Sequence, residues 1–153
     1  MTDTSLTRRK ALQLGVAATA ATTLALPAQA TRAEPQKALF FTKSAGFEHS
    51  VIRRVDGALG HAERVLIDVG KKQGFEVTAT KDGGVFDGDL DQYAALIFFT
   101  TGDLTTAGRD QTPAMSPRGK QALLDSVRGG KGFVGIHCAS DTFHSQGELQ
   151  KNQ

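Results

Sequence analysis

The chain has one cysteine, Cys138, so no internal disulfide can form. It also lacks a charge excess of either sign, with 18 basic against 16 acidic residues. That small surplus sits at the N-terminus, where Arg8, Arg9 and Lys10 outnumber Asp3, and the remainder is balanced. A balanced domain has no electrostatic footprint for nucleic acid or an anionic membrane. No apolar run comfortably reaches the roughly 20 residues of a membrane-spanning helix, and there are no internal repeats.

What is present begins with an export pattern. Thr7-Arg8-Arg9-Lys10-Ala11-Leu12 reads as a twin-arginine signal, followed by the apolar stretch Ala11–Leu26 and an A-x-A site at Ala28-Gln29-Ala30. Residues 1–30 are therefore expected to be removed after Ala30, leaving a periplasmic or extracellular protein with no stable membrane anchor. Export in the folded state is a weak hint of a bound metal. Residues 31–36 read as a polar linker, residues 37–144 as one domain, and residues 145–153 as a polar tail.

Within the domain, short apolar runs alternate with amphipathic stretches, which argues for an α/β fold with a parallel sheet covered on both faces. Lys37–Thr42, Phe75–Ala79, Tyr93–Phe99 and Gly132–Ile136 read as strands, the first and the last two as buried. Val51, Ile52, Val55, Leu59, Ala62, Val65, Leu66 and Val69 recur at spacings of three and four. The spacing predicts one helix from Val51 to about Lys72, with Glu63 off the buried stripe and Gly74 closing the end. A second helix is expected after Ser116-Pro117, burying Leu123, Leu124 and Val127. Asp87, Asp89 and Asp91 invite a calcium reading, but they lack the ligand order of an EF-hand, so a solvated loop is the expectation.

Chemistry-bearing residues gather where the last strand ends, in Gly132–His144: His137, Cys138, Ser140, Asp141 and His144. Ligands of open parallel sheets bind beyond the carboxyl ends of the strands. His137 could bind a metal, orient a hydroxyl or act as a general base, or it could only fix the turn. Asp141 equally suits a site role or a helix cap, Asp103 suits a turn, and His61 is expected to be solvated.

Four segments together resemble the ThuA-like, or trehalose-utilisation, proteins: Thr42–Ile52, Gly74–Thr80, Ile97–Leu104 and Gly129–Thr142. The resemblance implies a flavodoxin-like sheet of the class I glutamine amidotransferase-like superfamily, and a sugar-like small-molecule ligand. It also implies at least one further strand–helix unit, so the chain reads as truncated after its fourth strand. In true amidotransferases the residue on the elbow after the strand is a nucleophilic cysteine. Here His137 takes that place and Cys138 falls one residue late, so Cys138 reads as a buried small residue and His137 as the catalytic candidate. In a sheet ordered 2-1-3-4, His49, Asp103, His137 and Asp141 would converge on one rim. His49, His137 and Asp141 together would suit zinc or another divalent ion. Glu48 stands where the family commonly has a basic residue. Whether the chain is an enzyme or a non-catalytic binding or accessory domain stays open at this point.

Overall fold

A computed structural model describes residues 35–143; the expected signal, most of the expected linker, His144 and the tail lie outside them. Strand β1 (Lys37–Phe41) is followed by helix α1 (His61–Gln73) and strand β2 (Glu76–Thr80). Strand β3 (Ala95–Phe98), helix α2 (Pro117–Arg128) and strand β4 (Gly132–Gly135) complete the regular elements. Short 3-10 turns lie at Ser50–Ile52, Gly83–Asp87 and His137–Asp141. All four strands are parallel, in the order β2-β1-β3-β4, so the chain forms a flavodoxin-like α/β sheet.

Strand alternation splits the apolar residues into two cores. Leu39 and Phe41 of β1 pack with Leu96, Phe98, Phe86, Met115 and Leu123 on the α2 side. Phe40 packs with Ile52 and Phe99, backed by Ala62, Leu66 and Val77, on the α1 side. Helices therefore cover both faces, as the alternating pattern predicts.

Helix α1 starts ten residues later than its apolar spacing implies. Asp56 and Gly57 both take positive φ, and Val55 bridges back to Ala58, so Asp-Gly makes a tight turn inside the apparent stripe. The helix then begins after Gly60, where a side chain would strike the Ile52 backbone at 2.8 Å. Its buried positions are Glu63 and Gly70, while Val65 and Val69 face outward, a rotation of the expected stripe.

That rotation has a polar cause. The Glu63 carboxylate is fully buried and accepts from Thr42 Oγ1 (2.6 Å), the Gly60 amide (2.8 Å) and the Arg54 guanidinium (2.9 Å). Arg54 also donates to the Ala79 carbonyl, so the pair ties the end of β2 to the start of α1. Burial pushes the Glu63 carboxyl up, but Arg54, Thr42 and the Gly60 amide together outweigh it and hold the group below its usual value.

Ser116 caps α2 as expected, accepting from the Gly119 amide at 2.9 Å, with Pro117 in the first turn. Leu123 is buried, whereas Leu124 and Val127 stay partly exposed. The last strand also departs from the reading of a buried run: Phe133 and Val134 are 47% and 48% exposed. Their composition is that of an inner strand, but β4 lies at the edge of the described sheet with a neighbour on one side only. Of the three loop aspartates, Asp87 binds Ser116 and Arg118, and Asp89 accepts from the Asp91 amide, so they work as separate turn and cap residues.

Candidate functional site

The loops leaving β1, β3 and β4 meet on the carboxyl rim and are stitched together by backbone. The Ala45 amide donates to the Thr101 carbonyl (3.0 Å), the Gly102 amide to the Asp141 carbonyl (3.0 Å), and the Phe143 amide to the Gly102 carbonyl (2.8 Å). Gly102 allows this closeness: its φ is +73°, and a side chain there would meet the Gly46 amide nitrogen at 2.8 Å.

At the end of β4 the chain turns sharply. Ile136 is still extended, then His137 adopts a φ of +54° and opens the 3-10 turn. A non-glycine residue in this region costs roughly 1–3 kcal/mol and persists only where the surroundings enforce it. The turn thus keeps a strained strand-to-turn elbow, the device that presents a nucleophile in many hydrolases, with an imidazole at its apex.

The apex ring faces a second imidazole. His49, in the loop after β1, lies 4.6 Å from His137 between ring centres, at 72°. Phe99 stacks under His137 at 5.9 Å, and Phe47 meets His49 edge-on at 4.9 Å. The expected approach of positions 49 and 137 is therefore present. Within this grouping, one donor atom each from His49, His137 and Cys138 lie within 4.8 Å of one another, the one such grouping of histidine, cysteine and carboxylate among the described residues. The third donor of this grouping is the Cys138 sulfur.

The remaining candidates are spread along the rim. Asp103 accepts from the Thr105 amide (2.9 Å) and hydroxyl (2.6 Å), an Asx turn that shapes the loop after β3. Asp141 is exposed at the end of the 3-10 turn, its carbonyl engaged with Gly102. Cys138 is half-buried; burial raises its thiol above the usual range, and the nearby Asp141 charge adds to this. A thiol so placed is a poor nucleophile at neutral pH. His61 is exposed at the first position of α1, and Glu48 is engaged by Lys81 and Arg53.

Two buried lysines, which pattern reading passed over, hold the rim in shape. Lys43 Nζ donates to the Thr112 and Pro113 carbonyls, each at 2.8 Å, fastening the loop after β3 to the end of β1. Burial lowers its ammonium below the ordinary value despite the nearby carboxylates. Lys81 Nζ lies between Glu48 (2.7 Å) and Asp110 (3.2 Å) and joins the same two loops. The only sequence signal for either was a lysine immediately after an apolar or alternating strand.

Sheet order, rim loops and an elbow after the last strand define a flavodoxin-like domain of the amidotransferase-like type, with histidine in the nucleophile's place. The family model for ThuA, described as trehalose utilisation, matches residues 37–151, and the chain belongs to that family. The family falls in the class I glutamine amidotransferase-like superfamily. No curated protein and no solved structure matches the chain.

Proposed function

We propose that the chain is an exported, carbohydrate-associated ThuA protein whose rim pocket holds a divalent metal on His49 and His137. The observation that supports this is the convergence of the His49, His137 and Cys138 donor atoms within 4.8 Å. Tetrahedral zinc with nitrogen and sulfur ligands holds its donors about 3.4–3.8 Å apart, so closure by roughly an ångström would complete the shell. Three protein ligands leave a fourth position for a sugar hydroxyl or water. Zinc accepts the His2Cys set, with the carboxylate of Asp141 as the alternative third ligand. Amidotransferase chemistry does not fit, because His137 replaces the elbow cysteine. Export rests on Arg8, Arg9 and the cleavage pattern ending at Ala30.

The same substitution favours a second reading, a non-catalytic sugar-binding or accessory domain, since no other nucleophile occupies the elbow. Metal analysis of purified protein tests the main reading. Wild type is expected to retain close to one equivalent of zinc, and His137→Ala to lose it. Equal metal content in both proteins would remove the metal. Cys138→Ser against Asp141→Asn identifies the third ligand.

A further inference from the structure

A cleft of about 310 Å³ opens beside the imidazole pair, lined by Phe47, Glu48, Arg53, Arg109 and Asp110. Its walls are the loop after β1 and the loop after β3. In the order β2-β1-β3-β4 the chain reverses its direction of travel across the sheet between β1 and β3. That reversal is where open parallel sheets leave a crevice for ligands. No residue pattern marks this cleft, whose lining comes from two loops far apart in the chain.

The lining is preorganised. Phe47 is 64% exposed, yet its carbonyl accepts from Thr101 Oγ1 at 2.8 Å and its ring rests edge-on against His49. Glu48 and Asp110 are aligned by Lys81 between them, and Arg53 adds a second contact to Glu48 at 3.2 Å. Asp110 stays ionised: burial raises its carboxyl, but Thr112 and Lys81 outweigh that and lower it. The Arg109 amide donates to the Ser44 carbonyl at 2.9 Å, while its exposed guanidinium forms no ion pair among the described residues.

Building on the carbohydrate reading above, we propose that this cleft is a pyranose-binding subsite, with the Phe47 ring as its stacking platform and Arg109 and Asp110 as its hydroxyl partners. Sugar hydroxyls both donate and accept, which suits a lining where guanidinium donors stand beside carboxylate acceptors. With two carboxylates and two guanidiniums the lining is balanced in charge, which suits a neutral sugar better than a phosphate, and a flat heterocycle would need a drier slot. The volume lies at the low end of the roughly 300–1,000 Å³ of small-molecule sites, the size for one sugar ring. Phe47 links the cleft to the imidazole pair through its edge contact with His49.

Calorimetric titration of the full-length protein with glucose, trehalose and inorganic phosphate tests this. Both sugars are expected to bind and phosphate not to. Phe47→Ala is expected to weaken sugar binding about 2- to 12-fold, the range of an aromatic contact. Arg109→Ala is expected to weaken it by about 10-fold, as for a lost charged hydrogen bond. Arg128→Ala, on the exposed side of α2 and away from the cleft, keeps glucose affinity. Phe47→Leu, flat stacking removed but apolar bulk kept, backs the alanine variant, and circular dichroism checks folding. Sugar binding lost in His137→Ala but intact in Phe47→Ala and Arg109→Ala overturns the cleft and leaves the carbohydrate reading standing. Binding of phosphate with neither sugar, or no binding at all, overturns both, while metal content is read independently.

Discussion

Replacing Glu63 with alanine is the most exposing test of how this domain is held together. The substitution removes the acceptor of Thr42, Gly60 and Arg54 at once and leaves Arg54 facing a partly buried void. Breaking a buried ion pair from one side costs about 3–5 kcal/mol. Arg54 keeps 26% of its side-chain exposure and can rehydrate, so the lower end, about 3 kcal/mol, applies here. With a urea m-value of about 1–3 kcal/mol per molar, the unfolding midpoint should fall by about 1–3 M. Pairing Glu63→Leu with Arg54→Met should cost less than the sum of the single changes, because no charge is left unpartnered. The pH profile supplies a second readout. Folding lowers this carboxyl below its reference of 4.5, so its contribution is present above that value and is lost as pH falls through the folded-state pKa. Wild type should therefore lose stability below about pH 4.5 more steeply than Glu63→Gln. Chemical denaturation followed by circular dichroism measures both effects. A midpoint shift below about 0.3 M would mean that Glu63 is not the anchor of α1.

The elbow and the glycine contacts give further checks. His137→Gly should be more stable than His137→Val by about 2 kcal/mol, because glycine accepts a φ of +54° and a β-branched residue does not; equal thermal midpoints would argue against strain at the apex. Gly83→Ala would drive a methyl into the Ala114–Met115 backbone and should cost about 3 kcal/mol, read from urea midpoints. Ser116→Ala removes the cap on the Gly119 amide and should cost about 1 kcal/mol. Cys138, its thiol raised by burial, should alkylate at neutral pH more slowly than a small-molecule thiol; faster labelling would revive a nucleophilic role.

Strand positions were legible because β1, β2 and β3 are short runs whose apolar residues serve one or both faces of a sheet, and period-2 patterning survives in any context. The boundaries of α1 were not. Eight apolar residues at helical spacing crossed the Asp56-Gly57 turn, and only that dipeptide signalled the break. The burial of Glu63 was equally hidden, since a charge on a helix reads as solvated unless Arg54 and Thr42 are known to face it. At β4 the sequence described a strand with two apolar sides but could not say how much of either side is covered.

By itself, the amino-acid order determined the α/β fold class and the rim on which ligand chemistry belongs, because these depend on local pattern and on position after a strand. The reading of His137 in a nucleophile's place came from the resemblance to the ThuA-like proteins. Tertiary structure alone decided that His49 and His137 meet at 4.6 Å, that the Cys138 sulfur stands with them, and that a cleft opens between the loops after β1 and β3. Each of these depends on where loops far apart in the chain are pinned, by Lys43, Lys81 and the Gly102 backbone, and long-range contacts of that kind leave no periodic trace in the sequence.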